Sequence, residues 1–441
     1  MRQRSRGRVT PAAVAAMCAV AALTGPAYAD GGSTAYTFDP GAEAVAGTEV
    51  NTEAAELKAG SVYKSSIKAG QKLYYRLNLD ATTNAYVSAV AVPKGGGKVA
   101  YGDGVTVSIR DSSDLQCSSE DARFESAEYP RPIAAYAYRM VRKDSSTCQG
   151  PGTYNVLVER ESKATSGPGD WDLELRYAAE PELADDAAMP TEAPENWPSA
   201  SPAPPTPAGD NRRKGGTGYY DATSLQTGEW KDEIAPGQTR FYRVPVDWGQ
   251  QIFATARLGN STASDEFIGS ALAMSLDNPA QGHVDDVSPM SYSGKPASVS
   301  LDPVPPVAYR NRFASAESVS AMRFAGWYYL SVTLSPELAK AYGTKPFPLT
   351  LSVKVAGKAE GSPYAGDAGI FAVTEKDKDL AERGQSGPQA AESESNTMKL
   401  VGAAGIGAGA VLVLALGVWT LLARRRAAAA QPPYGGPPQA W

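Results

Sequence analysis

The chain has 441 residues, with 43 Gly, 33 Pro, one His and three Cys, and a formal net charge of −6. That length accommodates more than one domain. The acidity disfavours nucleic acid and anionic lipid head groups as partners, and a single His beside so few Cys is too poor a ligand set for a zinc centre.

In chain order, Arg2, Arg4, Arg6 and Arg8 precede an apolar run over 9–23 and then Ala27-Tyr28-Ala29. This pattern predicts a signal peptide over 1–29, cleaved before Asp30. Met17 suits poorly the position before a lipid-modified cysteine, so Cys18 is expected to leave with the signal. A first block follows over 50–180. Residues 181–214 then form a Pro-rich linker, with eight prolines in PELADDAAMPTEAPENWPSASPAPPTPA. Such a segment breaks helix and strand and predicts a semi-rigid spacer. A second block spans 215–357. Residues 358–398, with EKDKDLAERGQSGPQAAESES at their core, read as a disordered stalk.

Residues 400–423 are 24 positions without a charge. As a helix at about 1.5 Å per residue they would span roughly 36 Å, enough to cross a membrane with some tilt. Arg424, Arg425 and Arg426 follow as a stop-transfer signal, and 424–441 is a short, low-complexity cytoplasmic tail. Gly405 and Gly409 make a GxxxG, a spacing also expected by chance in an Ala/Gly-rich span. The predicted topology is single-pass type I in the cell membrane, with 30–398 outside. With the four leader arginines, Lys399 and the three membrane-proximal arginines set aside, 34 basic residues face 48 acidic ones over 30–398, a net charge of about −14. Cys117 and Cys148 are then the only mature cysteines, and outside the membrane they are expected to form a disulfide.

The two blocks repeat each other. AGQKLYYRLNLD at 69–80 is matched by PGQTRFYRVPVD at 236–247. Around this pair, LKAG matches LQTG, GVTVSIRDS matches SALAMSLDN, AAYAYR matches PPVAYR, PGTYNVLV matches AGWYYLSV, and WDLELRY falls where FPLTLSV falls. Six matches in the same order indicate a duplication. Within them the hydrophobic period is two, which predicts half-buried antiparallel strands. Tyr75, Leu77 and Leu79 should be buried, as should Tyr242, Val244 and Val246. Tyr74, Arg76, Phe241 and Arg243 should face outward, and Pro245 points to a strand edge. The predicted fold class is mainly β: two tandem antiparallel β-sandwich domains of seven to nine strands each, plus one C-terminal transmembrane helix.

The Gly-Gln turn followed by a Tyr strand (Gly70, Tyr75, Leu77; Gly237, Tyr242, Val244) and the late Gly-x-Tyr strand (Gly152, Tyr154, Val158; Gly326, Tyr328, Val332) resemble the bacterial pre-peptidase C-terminal domain, a jelly-roll-like sandwich. The resemblance covers two short motifs per block. It departs from the family in lacking an attached protease, and in having Lys72-Leu73 and Thr239-Arg240 where an acidic residue is common. It implies a non-catalytic accessory or binding module. The Ala/Gly/Pro-rich style of the chain is similar to that of high-GC actinobacterial surface proteins.

No catalytic motif emerges. His283 is the single histidine available to a Ser-His-Asp triad, and no G-x-S-x-G elbow accompanies it. Phosphate-loop and dinucleotide fingerprints are absent. A glycosidase-type carboxylate pair is compatible with the composition, but nothing marks one out. Asp103, Asp111 and Asp114 would suit either a Ca²⁺ site or turn stabilisation. Among the aromatics Tyr74, Tyr219, Tyr220, Trp230 and Trp248 occupy outward or loop positions, and Tyr74, Trp230 and Trp248 are the candidate ligand-facing rings. The expected function is a non-catalytic cell-surface binding or adhesion module, without cofactor or metal, for an envelope or protein partner. An accessory or scaffold subunit of a membrane or secretion complex is the second alternative, and a carboxylate-dependent hydrolase the third.

Overall fold

The computed structural model describes residues 35–94, 97–142, 145–184, 192–203, 211–393, 395, 413, 415–424 and 426. The expected signal peptide lies outside these, as do 400–412 and 414 of the expected span and most of the tail. Residues 415–424 are helical, and among the described residues no helix is long and apolar enough to cross a membrane.

The described chain is mainly β. The first block contributes β1 (Glu43–Ala44), β2 (Ala55–Glu56), β3 (Val62–Ile67), β4 (Lys72–Leu79), β5 (Ala85–Pro93), β6 (Gly104–Arg110), β7 (Gln116–Arg123), β8 (Ile133–Arg139), β9 (Gly152–Glu161) and β10 (Trp171–Ala179). The second contributes β11 (Thr223–Ser224), β12 (Gly228–Ile234), β13 (Thr239–Val246), β14 (Gln251–Leu258), β15 (Ile268–Asp277), β16 (His283–Tyr292), β17 (Ala297–Ser300), β18 (Gly326–Leu334) and β19 (Phe347–Ala356).

Four sheets result. Their orders are β1-β3-β10-β5-β8 and β2-β4-β9-β6-β7 in the first block, and β12-β19-β14-β17 and β11-β13-β18-β15-β16 in the second. Apart from the extra strand β1, the second pair repeats the first strand for strand. The register repeats as well: Leu77 lies opposite Tyr154, and Val244 opposite Tyr328.

The quoted repeat owes its wording to a turn. Gly70 (φ +71°) and Gly237 (φ +78°) occupy the left-handed region that favours glycine. The glutamine that follows each closes the turn: Gln71 Oε1 accepts from Lys68 N at 3.0 Å, and Gln238 Oε1 from Ala235 N at 3.1 Å. Beyond the turn, alternation sends Tyr75, Leu77 and Leu79 into a core shared with Val105, Val107, Leu173 and Leu175 of the two sheets, while Tyr242, Val244 and Val246 enter the core of the second block. β11 spans only two residues and lies opposite Tyr242 and Arg243, so Pro245 falls on an unpaired stretch of edge.

Phe241 departs from the expected pattern, with 1% of its surface exposed on the face expected to be outward. The outer face of β5, β8 and β10 stacks on the outer face of β13, β15 and β18. Val90 meets Phe241, Tyr219, Ala222 and Tyr329 in one apolar cluster, while Tyr86 and Tyr136 of the first block join the core of the second. The β15–β16 hairpin tip inserts into this seam. Ser88 donates to Gln281 Oε1 at 2.8 Å, and a Cβ on Gly282 would lie 2.5 Å from the Tyr136 ring. The Pro-rich linker therefore does not hold the blocks apart. Its described residues run back onto the second block, where Gln251 Nε2 donates to the Pro198 carbonyl at 2.8 Å.

The expected disordered stalk is also corrected over its described part. Phe371 is buried and stacks on Phe324 at 4.4 Å. Helix α1 (Glu375–Arg383) starts with a capping box from Thr374 and Asp377 and buries Leu380 and Ala381. Its Asp377 accepts from Trp327 Nε1 at 2.9 Å. A few well-spaced apolar side chains offset a composition that reads as disordered.

Candidate binding face

Cys117 on β7 and Cys148 before β9 form the expected disulfide, with an S–S distance of 2.01 Å. The candidate rings fare differently. Trp230 is 5% exposed: it points inward from β12 and donates to the Gln226 carbonyl at 3.1 Å. Trp248 is 4% exposed and packs edge-on against Tyr364 at 5.7 Å. Neither faces a ligand, because each fills core space that its local sequence did not reveal. Tyr219 is likewise buried in the seam. Tyr74 alone of the three candidates lies half-exposed on an outer sheet face.

The aspartates do not converge. Asp103 is buried and ties two loops, accepting from Ala100 N at 3.0 Å, Lys163 N at 2.7 Å and Ser166 Oγ at 2.5 Å. Asp111 accepts from Ser113 N and Leu115 N, and Asp114 pairs with Arg110 at 3.2 Å. All three act in loops and turns. Among the described residues no three His, Cys, Asp or Glu side chains group as a metal site.

The seam gathers the other ionisable groups. His283 Nδ1 lies 3.9 Å from Asp277 and Nε2 3.4 Å from Asp286. Asp277 also accepts the Tyr219 hydroxyl at 2.7 Å. Both imidazole nitrogens face carboxylates, which leaves neither to act as a base toward a hydroxyl. Burial pulls the imidazole down, but Asp277 and Asp286 outweigh it and push the pKa up to about 10. Across the seam, burial and then the neighbouring Glu317 carboxyl push Glu120 up to about 8, against the pull of Arg323 and His283.

Both groups hold their protons more tightly in the folded state, from ordinary values of 6.5 and 4.5. The stability that Glu120 contributes is complete below its ordinary value and is lost as pH rises through about 8. That of His283 is lost on the way to about 10. The full-length chain should therefore melt at a lower temperature at alkaline than at mildly acidic pH, and Glu317→Gln should shrink the fall. A pH series of thermal melts measures this. A Glu317→Gln profile parallel to wild type would remove the acid pair from the account.

Among the described residues two sheet faces lie outside the seam, those of β12-β19-β14-β17 and of β2-β4-β9-β6-β7. On β2-β4-β9-β6-β7 the outward side chains align in cross-strand rows. Arg76, Asn155 and Arg110 lie opposite one another on β4, β9 and β6, and the next row is Tyr74, Leu157 and Ser108. Leu157 and Ser108 are 3% and 1% exposed, beneath the longer side chains around them. Arg110 Nη1 donates to Asp114 at 3.2 Å. Arg76 is paired with Glu56 at 3.6 Å, too far for a hydrogen bond. The Nε of Arg76, the Nε of Arg110 and the Ser108 hydroxyl are buried and have no hydrogen-bond partner. Sequence reasoning placed Arg76 outward but missed the row, because cross-strand register is not a local property. A shallow polar cleft of about 560 Å³ between the 260–265 and 293–296 loops has Asp265 and Lys295 as its charged groups and no aromatic wall. The sheet face is the better-built site.

No protein-family model matches the chain, and no curated protein matches it. Among solved structures, a protein of Parabacteroides distasonis assigned as secreted is 9% identical, with 69% of this chain and 91% of that one covered and a TM-score of 0.17. The CUB1-EGF-CUB2 domains of human MASP-1/3 are 7% identical, with 66% and 99% covered and a TM-score of 0.16. The tandem CBM22 domains of Paenibacillus barcinonensis Xyn10C are 11% identical, with 68% and 92% covered and a TM-score of 0.17. Similarity at this level carries no functional argument.

Proposed function

We propose that this chain is a non-catalytic binding protein of the cell surface, exported by residues 1–29 and anchored by 400–423, with a pair of jelly-roll-like sandwiches outside. In chain order the eight main strands of each block run 1-8-3-6 in one sheet and 2-7-4-5 in the other, the order of two interlocked Greek keys. The disulfide suits an oxidising compartment. The observation that carries the binding role is asymmetric use of the repeat. In the second block the outer face of β13 and β18 is spent on the seam, while in the first block the equivalent face of β4 and β9 meets no other sheet among the described residues and carries the half-exposed Tyr74 and Arg76. One copy serves as platform and the other as binding surface, so the duplication supplies a mounting and not two equal sites.

A cysteine-labelling experiment tests this. Asn78→Cys lies on the open face, and Ser298→Cys lies on the outer face of β17 in the other block; both positions are exposed. With a membrane-impermeant maleimide, both should react on intact cells, the first more slowly than in purified protein and the second equally fast. Absence of labelling in intact cells would overturn the surface location. Equal rates at position 78 in cells and in purified protein would overturn occupancy of the face.

A further inference from the structure

We infer that the open face of the first block binds a carboxylate-bearing polysaccharide, a polymer of uronic acids, through Arg76, Asn155 and Arg110 with Tyr74 beside them; the inference rests on the binding role proposed above. Adjacent strands lie about 4.8 Å apart, which places Arg76 and Arg110 about 10 Å apart on either side of Asn155. Two guanidinium forks at that separation can converge on groups held over the central strand. Each has spare donors. The Nε of both arginines is buried, so the spare donors are terminal ones: Arg110 spends one terminal nitrogen on Asp114, and Arg76 makes an ion pair but no hydrogen bond with Glu56. The rim carboxylates that hold them are solvent-exposed, at 42% for Glu56 and 62% for Asp114. Water and salt weaken such pairs, so an incoming carboxylate can replace them.

A planar carboxylate matches the fork bidentately, and arginine is suited to that geometry where lysine is not. Tyr74, one row away, offers a ring on which the C–H face of a sugar can lie. The alternating Asn78, Thr153 and Thr106 side chains extend a polar surface for hydroxyl groups. An acidic peptide fits less well. Extended peptides gain affinity from main-chain bonds at a strand edge and from side-chain pockets, whereas this is the flat middle of a sheet.

The test is affinity electrophoresis and titration calorimetry of the purified full-length chain with polygalacturonate, dextran, poly-L-glutamate and inorganic polyphosphate. Wild type should bind polygalacturonate and leave the other three. Arg76→Gln and Arg110→Gln should each weaken binding by about tenfold, since a hydrogen bond to a charged group is worth that or more. Arg76→Lys should not restore it, and Arg257→Gln on the other block should bind as wild type. Melting temperatures should fall by no more than a few degrees, because glutamine keeps part of the aliphatic stem that covers Leu157. Failure of wild type to bind polygalacturonate, equal binding by the Arg76→Gln/Arg110→Gln double variant, or equal affinity for poly-L-glutamate or polyphosphate would each overturn the inference. Protection of Asn78→Cys on cells without polygalacturonate binding would sink the uronate assignment and leave the binding role standing.

Discussion

Glu180→Ala should destabilise the protein by about 3–5 kcal/mol, the cost of leaving a buried charge without its partner. Glu180 is 1% exposed and sits at the end of the first block, where it joins the two blocks. Arg312 of the second block grips it with two bonds, at 3.0 and 2.6 Å. The Tyr86 hydroxyl donates at 3.0 Å, the Tyr364 hydroxyl at 2.7 Å and Asn84 Nδ2 at 2.9 Å. Burial would push this carboxyl up, but Arg312, with Tyr364 and Asn84, outweighs it and holds the group below the usual carboxylate range. A depressed carboxylate contributes stability that is present above its ordinary value and is lost as pH falls through the folded value. In the variant, Arg312 remains 4% exposed against the ring of Tyr309, with no counter-charge. Replacing both partners, Glu180→Leu with Arg312→Met, should recover only part of the loss, because an apolar pair avoids desolvating two ions but leaves the Tyr86, Tyr364 and Asn84 donors without an acceptor. Chemical denaturation of the full chain measures both variants against wild type. A cost of Glu180→Ala below about 1 kcal/mol, the value of an ordinary hydrogen bond, would show that this hub does not hold the blocks together.

Phe241→Ala should cost a similar amount, about 3–5 kcal/mol, and its effect should appear in the block that does not contain it. The ring packs edge-on against Tyr36 at 5.9 Å and lies 5.1 Å from Tyr219, in the cluster that includes Val90 of β5. Were the blocks independent, an outward side chain on β13 would be worth no more than about 0.5 kcal/mol. Hydrogen exchange separates the two cases. In Phe241→Ala, amide protection of β5 should fall along with that of β13. Unchanged protection in the first block would mean that the stacked sheets contribute little to each other's stability.

Much of the β architecture is legible in the sequence because it follows from short-range rules. Alternation at period two selects strands and the inward set Tyr75, Leu77 and Leu79. A Gly-Gln pair sets the turn before them, and matched wording in matched order reveals that the second block repeats the first. The cysteine pair follows from counting once the signal is removed. Errors concentrate where a residue has two possible environments. A strand has two faces, and alternation states which residues share a face but not what covers it. Phe241, on the face opposite Val244, looks no different in sequence from Tyr74, opposite Tyr75, yet one is sealed by another sheet and the other is half-exposed.

Trp230 and Trp248 were expected at the surface because their neighbours are polar, although a single large ring can fill core space from an irregular position. The charged run around Glu375 was expected to be disordered because composition averages away Phe371, Leu380 and Ala381, the few side chains that dock it. By itself, then, the sequence determined strand identity and which side chains share a face, set by neighbours within a strand or a turn, and also the duplication and the disulfide, set by matched wording and by counting. Tertiary structure alone decided which repeat gave up its outer face, where the charges of Glu180 and Arg312 meet, and that Arg76, Asn155 and Arg110 align. Each of these depends on surfaces brought together across long stretches of chain, 79 residues from Arg76 to Asn155 and 132 from Glu180 to Arg312, by packing that no local pattern encodes.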